Sequence, residues 1–210
     1  MECCWLDLWN AFGSVPHEDL DELNESLPLL GSLQHILHDI NKDNTMDFVV
    51  GKKTVKVMLK SGIRQGDPLS SIFFNLAVEP LIRAAKSFEN LGYPIFSRLL
   101  KTTAYADDIA VVSTSAEELQ EIINRVTSVA ADLGFRFNPE KCKCLILING
   151  KPQESTITID GKTIHCLQPE EQDIYLGTPI GAKLRLRPPT ELVSSLDKLA
   201  ESLLAPWQKL

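Results

Sequence analysis

Apolar and polar positions switch between two periods along this chain, and the switches mark its elements. Residues 3–8, CCWLDL, are a short apolar run broken by one acid, Asp7, and read as a buried strand. Asn10 to Pro16 is a turn region, with Gly13 and Pro16 as breakers. Residues 17–26 and about 29–42 read as helices; Leu33, Ile36, Leu37 and Ile40 recur at helical spacing, and Ser32 is the expected cap. The runs 45–50 and 53–59 flank Gly51-Lys52 as a β-hairpin. A polar turn at 60–68 then leads into an apolar helix from about Ser70 to Phe88, with Ser70 the expected N-cap.

Residues 102–114, TTAYADDIAVVST, are two β-prone runs around a doubly acidic centre. The segment 115–133 is an amphipathic helix with Leu119, Ile122, Ile123, Val126 and Val129 on one face. Short strands are expected at 134–137, 142–148, 155–160, 163–167 and 173–176, the last followed by Gly177 and Pro179. After Pro188-Pro189 a final helix is expected over about 190–204. There are no repeats and no low-complexity tract. The alternation predicts an α+β fold, an antiparallel sheet with helices packed on one face.

Composition narrows the class. The 210 residues are 44% hydrophobic and 23% charged, ordinary globular proportions that exclude a disordered, collagen-like or coiled-coil chain. No apolar run approaches a membrane span, and the first residues lack the basic-then-apolar pattern of a signal peptide. Five cysteines without a C-x-x-C pair fit a reducing compartment. The expectation is an intracellular protein, of nucleus or cytoplasm, without a membrane partner. A net charge of −7 argues at first against a nucleic-acid partner. By region, however, the balance is −9 over 1–50, +6 over 51–101, −3 over 102–150 and −1 over 151–210. An acidic block beside a basic one fits either plain solvation or clustered carboxylates next to a phosphate-facing surface.

Several motifs fail. Asp39 to Asn44 begins like a calcium loop but lacks the glycine at its sixth place, and Val50 stands where a bidentate Glu is required. Asn24-Glu-Ser26 matches a glycosylation acceptor by chance in a chain without a secretory signal. The four histidines form no ligand pair, and Cys142-Lys-Cys144 reads as two buried thiols on one strand face.

The carboxylates matter more. Asp7 lies in an apolar strand and Asp107-Asp108 in an apolar hairpin, where an uncompensated charge is costly. Adjacent acids at a hairpin tip also suit a solvated turn. Yet three carboxylates converging from two strands are what a pair of Mg²⁺ ions needs, because Mg²⁺ takes hard oxygen ligands and leaves places for phosphates.

LDLWNAFGSVPH at 6–17, GIRQGDPLSSIFFNLAVEPL at 62–81, AYADDIAVVS at 104–113, LGFRFNPEKCKCL at 133–145 and YLGTPIG at 175–181 carry a resemblance. In this order they resemble the five palm motifs of a reverse transcriptase, most closely those of the non-LTR (LINE-type) retrotransposons. The resemblance implies an RNA-directed DNA polymerase, with two Mg²⁺ ions (or Mn²⁺), dNTPs, and an RNA template with a DNA primer. Asp7 and the Leu8 carbonyl would hold metal near the triphosphate; Asp107 would bridge both ions, with Asp108 the looser third acid. Phe12 would be the aromatic gate against a ribose 2′-hydroxyl, although core packing fits its spacing equally. Arg64, Gln65 and Gly66 would lie by the incoming nucleotide, and Tyr105 and Ala106 would face the primer end and nucleotide sugar. Lys141 would be the general acid for the leaving pyrophosphate; a solvated turn lysine fits as well. Tyr175, Leu176 and Gly177 resemble the start of the primer-gripping hairpin. Lys52 and Lys53 would touch template or primer phosphates, or simply solvate the surface.

One departure is local: Gly13 stands where many relatives carry a second acid, giving AFGS. A larger one is extent. Residues 1–188 would form the palm and 189–210 a helix leading toward a thumb, with fingers and thumb largely missing. The chain is therefore expected to belong to a larger polymerase or polyprotein. The competing expectation is a non-catalytic, degenerate or repurposed palm remnant that binds nucleic acid or protein, or does neither. A third, a general phosphotransfer or metal-binding module of another fold, would put Asp7 far from Asp107, on non-adjacent strands.

Overall fold

The computed structural model describes residues 1–184 except Asp43, Gln65, Asp67, Pro68 and the side chain of Asn41, together with Ser194, Lys198 and Glu201. The first half contains β1 (Glu2–Leu6), α1 (Ala11–Ser14), α2 (His17–Ser26), α3 (Gly31–Asn41), β2 (Thr45–Val50), β3 (Lys53–Met58) and α4 (Ser70–Lys86). Then come β4 (Tyr93–Ile95), β5 (Arg98–Leu100), β6 (Thr102–Tyr105), β7 (Asp108–Ser113) and α5 (Ala116–Asp132). The remainder is β8 (Lys143–Ile148), β9 (Lys151–Pro152), β10 (Thr158–Ile159), β11 (Lys162–Thr163), β12 (His165–Cys166), β13 (Gln172–Tyr175) and β14 (Thr178–Gly181).

The principal sheet runs β12-β8-β1-β7-β6, with β9 paired to β8. Its inward positions explain the order. Cys4 lies opposite Val111 and Cys144, and Leu6 opposite Ile109, so these side chains form one buried face. Leu119, Ile122, Ile123 and Val126 of α5 and Phe74, Val78 and Leu81 of α4 belong to the same buried core. Burial on this scale is the main favourable term, about 25 cal/mol per Å² of apolar surface. Ser115 caps α5 by accepting from the Glu118 amide, and Glu117 and Glu118 lie in the helix's first turn, where its dipole favours acids.

The chain is a mixed α/β fold whose sheet is itself mixed. The expected all-antiparallel sheet is corrected at one pairing: β12 joins β8 in parallel, His165 opposite Lys143 and Cys166 opposite Cys144. The segment expected as one strand over 163–167 divides, because Lys162–Thr163 completes a hairpin with β10 before the chain reaches β8. Residues 134–137 contribute only a bridge, Phe137 to Leu8. Neither expected serine cap holds: Leu30 and Leu69 occupy the N-cap positions of α3 and α4, and the Ser70 hydroxyl donates to the Arg64 carbonyl instead. Of the final helix expected over 190–204, Ser194, Lys198 and Glu201 are helical; its other residues, and most of the segment 189–210, lie outside the described ones. No described helix is long and apolar enough to cross a membrane.

Glu2 conflicts with the apolar setting of β1. It is 3% exposed, and its Oε2 is buried without a hydrogen-bond partner among the described residues. Burial, reinforced by the charges of Glu117 and Glu118 and opposed by the amino terminus, raises its pKa. The folded state thus holds this proton to higher pH than the unfolded state, so stability falls as pH rises through that window. Glu2→Gln is expected to raise the melting temperature at pH 7. The gain should vanish below the ordinary glutamate range, which thermal melts at stepped pH would check.

Candidate active site

Asp7 follows β1 directly, and Asp107-Asp108 straddle the turn from β6 into β7. Because β1 and β7 are adjacent and antiparallel, with Leu6 opposite Ile109, the next step brings Asp7 to the acidic turn. This is the opposite of the non-adjacent placement another fold would give. The turn is sharp: Tyr105 pairs with Asp108, and Ala106 takes φ 53°. Asp7 and Asp107 are half-buried and Asp108 is exposed.

Electrostatics shows the proximity. Burial raises the Asp7 pKa; Lys141 opposes that, while the charges of Asp107 and Asp108 add to it. Burial also raises Asp108, with Asp107 adding repulsion. Like charges close together disfavour ionisation, so these carboxylates lack sufficient countercharge. The Lys141 ammonium lies 3.9 Å from Asp7 Oδ2, and both side chains reach solvent.

Residues 136–142 brace Asp7 through its backbone. The Asn138 amide donates to the Asp7 carbonyl at 2.8 Å, and the Trp9 amide to the Arg136 carbonyl at 2.7 Å. The Asp7 amide meets Cys142 Sγ at 3.3 Å; burial pushes that thiol up to about 11, so it stays protonated and inert. Leu8, the expected carbonyl ligand, is buried in the bridge to Phe137. All five cysteines are free and buried.

A cleft of about 370 Å³ opens beside these groups, lined by Asp7, Asp108, Glu140, Lys141, Asp173 and Tyr175 among others. Tyr175 forms one wall. Its ring lies 6.3 Å from that of Trp5, and its hydroxyl donates to the Asp108 carbonyl at 3.0 Å. Burial, then the charge of Asp108, raises its pKa. Leu176 and Gly177, at φ 49° and 72°, make the tight turn between β13 and β14. Glu140, Asp173 and the Tyr175 hydroxyl bond escaped the sequence reading. One signal was present: Asp173 and Tyr175 are two apart on a strand and share a face.

The other expected residues do not line this cleft. Phe12 stacks on buried Phe74, centroids 4.1 Å apart at 13°, as its core-packing alternative requires. The loop carrying Arg64 and Gly66 is tied to the first motif. Gly62 and Ile63 amides donate to the Val15 and Phe12 carbonyls at 2.8 Å each, and buried His17 reaches the Gly62 carbonyl through Nε2 at 2.9 Å. Gly62 takes φ 103°, a left-handed conformation that favours glycine, and packs beside the Gly13 backbone. A Cβ at Gly13 would displace the Asn10 side chain. The Arg64 guanidinium donates to Asn44 Oδ1 at 2.8 Å, Gly66 is exposed, and Gln65 lies outside the described residues. Tyr105 and Ala106 line a separate groove of about 730 Å³ against α4. Lys52 and Lys53 sit at the exposed tip of the β2–β3 hairpin.

The donor set consists of hard carboxylate oxygens short of positive charge, which suits a divalent cation. As placed, no three His, Cys, Asp or Glu side chains among the described residues form a ready metal group. The donors fit in chemistry and need a cation to draw them together.

A sheet that gathers acids from adjacent strands is matched by sequence. The family described as reverse transcriptase (RNA-dependent DNA polymerase) matches residues 3–181, and this chain belongs to that RNA-directed DNA polymerase family. It is similar to the retrovirus-related Pol polyprotein from the type-1 retrotransposable element R2 of Nasonia vitripennis, 26% identical over 213 residues. That match covers 98% of this chain and 21% of the relative. The corresponding polyprotein of the type-2 element R2DM of Drosophila melanogaster is 24% identical, with 98% and 20% covered. The chain thus spans about a fifth of the length of these curated relatives. Among solved structures, telomerase from Candida albicans with the TWJ fragment of telomeric RNA matches at TM-score 0.44 and 13% identity, over 99% of this chain and 36% of that one. A likeness that loose carries no argument about residues.

The Tyr175 strut is testable on stability. Tyr175→Phe keeps the ring beside Trp5 and loses the hydroxyl's bond to the Asp108 carbonyl, and is expected to cost about 1 kcal/mol. Urea denaturation should show a lower midpoint at unchanged slope.

Proposed function

We propose that this chain is the palm of an RNA-directed DNA polymerase of an R2-like, non-LTR retrotransposon, extending a DNA primer on an RNA template with dNTPs. The observation that carries the reading is the adjacency of β1 and β7, which delivers Asp7 to Asp107 and Asp108 in a family that polymerises DNA. Asp7, the Leu8 carbonyl, Asp107 and Asp108 would hold the divalent cations, two Mg²⁺ or Mn²⁺. When bound, such ions supply activation of the primer 3′-hydroxyl and neutralisation of charge on the triphosphate.

The chain's own groups do the rest. Lys141 stands beside Asp7 as an ammonium able to give a proton to the departing pyrophosphate. Phe12, braced on Phe74, presents a rigid edge against a ribose 2′-hydroxyl. Arg64, Gln65, Gly66 and Ala106 serve the nucleotide. Tyr105, Tyr175, Leu176 and Gly177 serve the primer, and Lys52 and Lys53 the phosphate backbones. Positioning supplies much of the catalysis in phosphoryl transfer, so the work falls on a larger polymerase chain, inside the cell, of which residues 1–188 form the palm. The relatives' greater length supports that setting.

A second reading, a palm that binds nucleic acid without polymerising, is favoured by the absence of a ready metal group among the described residues. Primer extension on an RNA template with Mg²⁺ and dNTPs separates the two. Under the first, extension is abolished by chelator and falls at least about 100-fold in the Asp107→Asn, Asp108→Asn variant. Binding without extension in the unmodified chain would favour the second.

A further inference from the structure

The β4–β5 hairpin presents an aromatic tip that none of the site chemistry uses. Ile95 pairs with Arg98, which leaves Phe96 and Ser97 as the turn. Phe96 is fully exposed and held at φ 53°. A bulky residue seldom adopts that conformation, and an apolar ring gains nothing from water. The base of the hairpin is fixed. Gly92, at φ 122°, lets the chain pass so near β5 that a Cβ there would meet the Leu100 carbonyl oxygen at 2.7 Å. The Lys101 carbonyl accepts from the Val112 amide of the central sheet at 2.8 Å. The tip is therefore displayed from an anchored stem.

Its surroundings are basic. Between residues 79 and 101, Arg83, Lys86, Arg98 and Lys101 stand against two acids, Glu79 and Glu89, a balance of +2 in a chain of −7. Arg83 is engaged by Glu79, while Lys86 and Arg98 are exposed. Lys101 Nζ reaches the Lys86 carbonyl at 3.5 Å, joining the stem to α4. Lys86 also lines the groove that runs along β6 to Tyr105 and Ala106, at the turn bearing Asp107. From Phe96 to Asp107 the chain is nearly continuous strand, a reach of at most about 36 Å.

We infer that this hairpin is a contact for single-stranded nucleic acid, Phe96 stacking on an unpaired base while Arg98, Lys86 and Lys101 meet its phosphates. A fully exposed ring beside cations is the combination that binds single strands without sequence preference; a duplex has its base faces covered. The inference rests on the nucleic-acid partner proposed above and adds a surface distinct from the acidic cleft.

Fluorescence anisotropy of the full chain with a labelled oligothymidylate of about 20 nucleotides, at several salt concentrations, tests it. Phe96→Asn suits the left-handed turn, so the fold should survive, as a thermal melt would verify. The expected result is affinity reduced about 5-fold or more at every salt concentration, with the salt slope unchanged, and restored affinity in Phe96→Trp. Arg98→Ala should instead lower the slope by about 0.7. Unmodified chain that binds the strand while Phe96→Asn binds it equally well would overturn the hairpin contact alone. Self-association of the chain that Phe96→Asn abolishes would overturn it too, in favour of a second copy. Failure of the unmodified chain to bind any strand or duplex would remove the nucleic-acid partner itself.

Discussion

The antiparallel register of β1 against β7 is the constraint on which the rest depends. With Leu6 opposite Ile109, the residue after β1 and the residues where β7 begins must meet at one end of the sheet. Those residues are Asp7, Asp107 and Asp108, whose mutual repulsion and burial oppose the arrangement. What holds it is the apolar face of the same strands: Cys4, Leu6, Ile109 and Val111 are buried with α4 and α5 in one core. A slip of one residue would turn that apolar set outward, so the core enforces a juxtaposition the acids alone would avoid. A site short of positive charge then offers the hard oxygen donors that a divalent cation takes.

Two further segments secure the same end of the sheet. Residues 136–142 run beside Asp7 to Trp9, supply backbone bonds and a protonated thiol, and deliver Lys141 to Asp7. The β13–β14 hairpin comes from the other direction, its Tyr175 bonded to the Asp108 carbonyl. The first and second motifs are joined separately, through the Phe12, Val15 and Gly62 backbones and His17. All five motifs thus become neighbours of one another by ordinary hydrogen bonding, which is why their order along the chain carries so much information.

Local pattern was legible; partners were not. The β2–β3 hairpin, α2, α5 and the Tyr105–Asp108 turn follow from periodicity and turn chemistry, as do the buried cysteines. Adjacent placement of Asp7 and Asp107 followed from resemblance and is met by the strand order. The parallel β12–β8 pair escaped, because a two-residue strand carries no signal of its direction or neighbour. The β4–β5 hairpin escaped because Pro94 demotes its strand, each arm is three residues, and Phe96-Ser97 lacks the Asn-Gly signature of a tight turn. Lys141 was read as a proton donor from its motif; its place against Asp7 depends on a contact across more than a hundred residues.

Under the proposed function, the β1–β7 register builds one cation site from Asp7, Asp107 and Asp108. Titrating the chain with Mn²⁺ while following the side-chain carboxylate resonances by ¹³C NMR tests it directly. Asp7, Asp107 and Asp108 are expected to broaden together, ahead of other carboxylates such as Glu2. Broadening of Asp107 and Asp108 with Asp7 untouched, or of distant acids first, would contradict it.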